Sequence, residues 1–201
     1  LSPLKSLSKL EALDLYGNKI SDLSPLAGLT NLRSLSLLDN SISSISALGS
    51  LTNLTSLHLS FNNVKDLSPL AGLTRLTTLD LNGNGIRNIS ALSSLINLTE
   101  LDLEYNEISD LTPLYTLVNL RNLYIRGNAS LTADQVRDLQ KALPNCKIVT
   151  NLDLTEPSPE VSPEASPELS PEASPELSPE PTVEVTPTPD ATVPPEENIA
   201  G

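Results

Sequence analysis

Apolar residues recur along the first two thirds of this chain in a fixed register, L-x-x-L-x-L-x-x-N, once every 22 residues. The first copy is Leu10, Leu13, Leu15 and Asn18; the fourth is Leu76, Leu79, Leu81 and Asn84; the sixth is Leu120, Leu123, Ile125 and Asn128. Side chains alternate across a strand, so L-x-L predicts a short strand with its two leucines inward and the flanking residues outward. A strand that short cannot bury its apolar face alone. Stacked copies about 4.8 Å apart would form a parallel sheet over one continuous core. The second half of each copy spaces apolar residues by three, as in Ile20, Leu23, Leu26 and Leu29, which predicts a 3₁₀ or tight helical turn. Pro25, Pro69 and Pro113 suit the start of such a turn.

The polar member of the register, at Asn18, Asn40, Asn62, Asn84, Asn106 and Asn128, falls where the chain leaves the strand. An amide both donates and accepts, so a ladder of asparagines can satisfy turn backbone in its own and adjacent coils. The copies are related in pairs: 22–32 (DLSPLAGLTNL) and 66–76 (DLSPLAGLTRL) differ at one position, which suggests duplication of a two-repeat unit. Residues 1–10 align with 23–32, so the chain opens in mid-repeat, and an N-terminally truncated repeat array is expected. After Asn128 the register stops. Thr132 and Gln135 form a capping-box pattern, and Val136, Leu139, Ala142 and Leu143 line one helical face. Pro144 ends that helix, and Cys146, Ile148 and Val149 predict a last short strand. Cys146, the single cysteine, reads as a small buried core residue.

These residues resemble the leucine-rich-repeat family, specifically its 22-residue, internalin-like bacterial class. The Leu-Pro-Asn-Cys stretch at 143–146 is similar to the helix-plus-strand caps of bacterial members. The resemblance implies an α/β solenoid: a right-handed horseshoe with a parallel sheet on its concave face and short 3₁₀ or helical turns on its convex face. The chain then divides into repeats at 1–130, a cap at 131–154 and a tail at 155–201. The resemblance further implies a contact surface on the concave strand face and an extracytoplasmic or cell-surface location.

Charge separates the tail from the rest. Residues 1–154 hold 14 acidic and 12 basic side chains, whereas 155–201 hold 11 acidic and no basic ones. Across 158–181 the tetrad Ser-Pro-Glu-x repeats six times. Proline at every fourth residue forbids helix and blocks strand pairing, and the segment has too little apolar surface to offset chain entropy. A disordered tail with polyproline-II character is predicted, serving as a solubilising spacer, a stalk or a modification target. With no basic cluster along the sequence, nucleic acid and anionic lipid are poor partners. No apolar run is long enough to span a bilayer. Metal-ligand spacing and Gly-rich phosphate loops are missing too, so no cofactor, metal or catalytic activity is expected.

Binding is the better expectation. The outward position between the two strand leucines reads Asp14, Ser36, His58, Asp80, Asp102, Tyr124; the position after it reads Tyr16, Leu38, Ser60, Asn82, Glu104, Arg126. Asp80, Glu100, Asp102 and Glu104 make an acidic patch across neighbouring strands, an arrangement that costs stability unless something answers it. With Tyr16, His58, Tyr124 and Arg126 they form the candidate contact surface, and Phe61 and Tyr105 are candidate rim contacts or turn packing. The main reading is a monomeric module that binds another protein, one with a basic surface. The alternatives are a structural spacer or stalk segment without a specific ligand, and an intracellular regulatory subunit of an enzyme.

Overall fold

The computed structural model describes residues 1–155. Apart from Thr155, the predicted Ser-Pro-Glu tail lies outside the described residues. Each L-x-L motif gives its first leucine and the outward residue after it to a three-residue strand that starts one residue earlier: β1 Ala12–Asp14, β2 Ser34–Ser36, β3 Ser56–His58, β4 Thr78–Asp80, β5 Glu100–Asp102 and β6 Asn122–Tyr124. A seventh, β7 Lys147–Val149, follows the cap helix. All seven pair in parallel in chain order, with inward leucines in register from Leu13 beside Leu35 through Leu101 beside Leu123. The fold is therefore an open leucine-rich-repeat solenoid, one coil per sequence repeat.

Behind the strands, the apolar positions spaced by three form 3₁₀ turns. Proline-containing turns, Ser24–Leu26, Ser68–Leu70 and Thr112–Leu114, alternate with longer ones at Ser46–Ser50 and Ser90–Ser94. This alternation is the two-repeat unit made visible. In the proline coils a polar residue two positions ahead closes the turn, as Asp66 does by accepting the N–H of Ser68 at 2.9 Å. The inward leucines fill the space between sheet and turns, and Leu35, Leu57, Leu79 and Leu101 are fully buried. Among the described residues β1 has a neighbouring strand on one side only, and Leu13, Leu15 and Ile20 are half-buried.

The asparagine ladder joins one coil to the next. The side-chain amide of Asn84 donates to the carbonyls of Leu59, Leu81 and Asn82 at 3.0, 3.1 and 3.2 Å. Its Oδ1 accepts the N–H of Val64 at 2.9 Å. One side chain thereby satisfies backbone groups in two coils. Asn62, Asn106 and Asn128 repeat this and are buried. Asn18 is exposed and bonds only to Leu15 and Tyr16 of its own coil.

The residue before each ladder asparagine is left-handed in all six coils: Gly17, Asp39, Phe61, Gly83, Tyr105 and Gly127, with φ of 69°, 56°, 54°, 66°, 51° and 71°. The ladder enforces this, because the N–H there donates to the next coil, as Phe61 does to the carbonyl of Asn82 at 2.8 Å. Glycine meets the demand without strain; a bulky aromatic does not. The Phe61 ring lies over Gly83 and the Tyr105 ring over Gly127, where an added Cβ would fall 3.0 and 2.6 Å from ring carbons.

The last coil is closed by α1, Ala133–Ala142. The expected capping box is present: Thr132 Oγ1 accepts the N–H of Gln135 at 3.3 Å, and Gln135 Oε1 accepts the N–H of Thr132 at 2.9 Å. Val136, Leu139 and Leu143 are buried against the final coil. Cys146 is buried with them, and burial pushes its thiol up to about 11, which keeps it protonated and unreactive at neutral pH.

Two stability outcomes follow from this geometry. Asn84→Ala should lower the unfolding free energy by about 3 kcal/mol in a urea titration, since it orphans several buried backbone groups. Asn18→Ala should change it little. Gly127→Ala should cost about 1–3 kcal/mol through left-handed backbone strain and collision with Tyr105, whereas Gly72→Ala, with open space around it and no positive φ, should be tolerated.

Candidate functional site

The last residue of each strand from β1 to β6 points away from the core, and the register sets Asp14, Ser36, His58, Asp80, Asp102 and Tyr124 side by side. The aspartates share a local role. Asp14, Asp80 and Asp102 each accept the N–H two residues ahead, from Tyr16 at 3.0 Å, Asn82 at 3.1 Å and Glu104 at 2.8 Å. Each thus steers the chain out of its strand. His58, Asp80, Glu100, Asp102 and Tyr124 also line one shallow depression of about 220 Å³ on this face.

The acidic patch is only partly answered from within. His58 Nδ1 lies 3.8 Å from Asp80 Oδ2, and its Nε2 is 3.0 Å from the Ser56 hydroxyl. The neighbouring Asp80 raises the His58 imidazole above its ordinary range against the opposing effect of burial. Burial pushes Asp80 up, but His58 and the Asn82 N–H hold it below the usual carboxylate range. Arg126 Nε approaches Glu104 Oε1 at 3.8 Å, and the Glu104 side chain is mostly covered. Glu100 and Asp102 make no ion pair among the described residues. Asp102 is accordingly raised, first by burial and then by the charges of Asp80 and Glu104, despite the Glu104 N–H.

The other candidate residues are distributed along the solenoid. Tyr16 projects from the end of β1 and is exposed, away from the acidic depression. Phe61 and Tyr105 sit at the rim with most of their surface in solvent, each with its ring over a glycine of the next coil. Ser60 differs from the expected outward position: it is 2% exposed and its hydroxyl has no hydrogen-bond partner. The chain is already bending into the turn there, and the longer Leu38 and Asn82 of the flanking coils flank this small side chain.

Two features escaped the sequence analysis. The pairs His58–Asp80 and Glu104–Arg126 each join residues 22 apart, one coil to the next, so the repeat period itself carried the signal. The second feature lies on the edge where chains enter the strands. Arg33 precedes β2, Arg75 precedes β4 and Arg121 precedes β6, and all three line a groove of about 620 Å³. No basic run exists along the sequence, yet the coil period collects these cations on one edge. No group of three His, Cys, Asp or Glu among the described residues could hold a metal ion. No helix among them is long and apolar enough to cross a membrane.

A parallel sheet built one strand per 22-residue coil, backed by 3₁₀ turns and locked by an asparagine ladder, defines a leucine-rich-repeat protein. Profiles described as leucine-rich repeats match residues 8–50, 30–72, 52–94 and 74–129. The chain belongs to this family, in its internalin-like bacterial class. It is similar to the internalin inlF of Listeria monocytogenes, with 33% identity and a TM-score of 0.73 over 77% of this chain and 46% of that one. Internalin C2 of the same organism gives 34% identity and a TM-score of 0.69 over 81% of this chain and 69% of that one. A leucine-rich-repeat protein of Leptospira interrogans gives 27% and 0.68 over 72% and 38%. The chain thus spans less than half the length of inlF. No curated protein sequence matches it. Internalin-like repeat domains are typically non-enzymatic modules that mediate protein–protein interaction.

The His58–Asp80 pair predicts a pH response. A raised histidine contributes stability that is complete below the unfolded value of about 6.5 and is lost as pH rises through the folded value. NMR titration should place His58 above its ordinary value, and Asp80→Asn should bring it down and flatten the stability change across that window.

Proposed function

We propose that the chain is a protein-binding module whose concave strand face receives a basic side chain or loop of its partner in the acidic depression around Asp102. The observation that carries this reading is the half-buried Asp102, raised by burial, flanked by Asp80, Glu100 and Glu104, and without an ion pair among the described residues. A lysine or arginine placed there would gain from every one of those charges, in a site where burial weakens solvent screening. Tyr124 forms one wall and supplies a flat amphipathic surface of the kind enriched in binding hot spots. Arg126, Glu104 and His58 frame the depression and set the charge pattern that a partner must match. Tyr16, Phe61 and Tyr105 extend the contact toward the rim. The repeats at 1–130 carry the surface, 131–154 closes the solenoid, and the acidic tail from 155 acts as a spacer outside a cell membrane.

Neutralising a site residue that repels its neighbours should stabilise the fold while weakening binding. Asp102→Asn retains an acceptor for the Glu104 N–H, so its urea midpoint should equal or exceed that of the parent. A charge-reversed Asp80→Lys/Asp102→Lys/Glu104→Lys chain should lose the partners that the parent captures from cell-surface extracts, and added salt should weaken the parent's capture in the same way. An unchanged set of captured proteins would favour the spacer reading.

A further inference from the structure

We propose that the strand-entry edge is a second binding site, separate from the sheet face, and that it takes an extended anionic polysaccharide carrying about one carboxylate per disaccharide. The groove there is lined by side chains of only three kinds: arginine, threonine and asparagine. Its cations are regularly placed. Arg33, Arg75 and Arg121 belong to the second, fourth and sixth coils, so one arginine recurs every two coils, an interval of about 10 Å at the strand spacing of a parallel sheet. The three arginines thus span coils about 20 Å apart along one groove. Arg33 and Arg121 hold the same place in their coils, whereas Arg75 stands two residues before that place, which Thr77 holds in the fourth coil.

These cations are largely unspent. The chain has 25 acidic and 12 basic side chains, yet among the described residues neither Arg75 nor Arg121 makes an ion pair. Arg75 donates instead to Asn53 Oδ1 at 2.7 Å. Arg33 is drawn 3.6 Å from Glu11, with both side chains mostly in solvent. Arg87, on another face, is tightly paired with Glu107 at 2.6 Å, which shows what an answered arginine of this protein looks like.

The groove floor decides between anionic polymers. The hydroxyls of Thr55, Thr77 and Thr99 each donate at 3.0 Å to a carbonyl of the preceding coil, which fixes them and leaves their oxygens free to accept. Asn97 and Asn119 use one amide N–H in the same way, at 2.8 and 2.9 Å, and keep Oδ1 and a second N–H. A row of fixed acceptors and donors between widely spaced cations suits a polymer of hydroxyls with intermittent carboxylates. A protein segment would look for an apolar anchor, and the lining side chains offer none. Nucleic acid would bring denser phosphate and unstacked bases, but the lining contains no aromatic ring and the chain's net charge is −13. Glu11 and the exposed Glu100 are the adverse charges near this edge, and they set a limit on affinity.

The test is binding of the full chain to a hyaluronate decasaccharide by titration calorimetry. A neutral chitin-derived oligosaccharide, poly-glutamate and single-stranded DNA serve as comparison probes. Hyaluronate should bind at least tenfold more tightly than each of the others and weaken as salt is added. Arg33→Ala/Arg121→Ala should lose at least tenfold, Arg87→Ala should change nothing, and Glu11→Gln should bind more tightly because it frees Arg33. The Glu11→Gln gain cannot arise from misfolding, and circular dichroism checks the arginine variant. Absence of hyaluronate binding, equal or tighter binding of any comparison probe, or affinity unmoved in both the double variant and Glu11→Gln would overturn the proposal.

Discussion

Everything in this structure depends on how the backbone is satisfied where each strand turns. A three-residue strand followed by a tight turn leaves N–H and C=O groups that no regular ladder reaches, and they face a buried space. The asparagine amide fills this gap by bonding to carbonyls in its own coil and the previous one while accepting an N–H from the previous coil. A coil is therefore complete only when stacked. Leucine supplies most of the apolar area, but leucine alone would tolerate many coil spacings. The directional amide is what holds each coil to one register, and hence aligns every surface column.

That register also explains the strained positions. The N–H before each ladder asparagine must point to the next coil, so that residue is left-handed whatever its identity. Three coils use glycine and one uses aspartate; the third and fifth hold Phe61 and Tyr105, whose rings settle over glycines of the coils that follow. The aromatic rim and the glycines beneath it form a unit, in which each ring occupies the space its neighbour's missing side chain leaves. Phe61 and Tyr105 lie 44 residues apart, so the aromatic rim follows the two-repeat unit.

The two surfaces of the solenoid differ in how their charges are balanced. On the sheet face, His58 and Arg126 each answer one carboxylate, and the remainder of the patch is left to repel across neighbouring strands. On the strand-entry edge, arginines lie apart from one another with few acids near them. A chain whose described part is close to neutral thus presents an acidic depression and a basic groove on adjoining surfaces. A partner engaging one need not displace a partner engaging the other.

The fold was legible from the sequence because its physics is one-dimensional. Leu10, Leu13, Leu15 and Asn18 recur by the same period that the coil advances, so spacing along the chain translates directly into stacking. The capping box at Thr132 and the buried faces of Val136 and Leu139 were legible for a similar reason, since they depend on neighbours a few residues away. The acidic column could be listed too, because the period names which residues lie side by side. What the sequence could not supply was distance and burial. Whether His58 leans toward Asp80, whether Ser60 faces water, and how deeply Asp102 sits depend on side-chain packing between coils, and residue identity does not encode that by itself. The arginine edge was hidden for a further reason: Arg33 and Arg121 share a column, but Arg75 stands two residues before it, and only the three-dimensional course of the chain brings its side chain to the same groove.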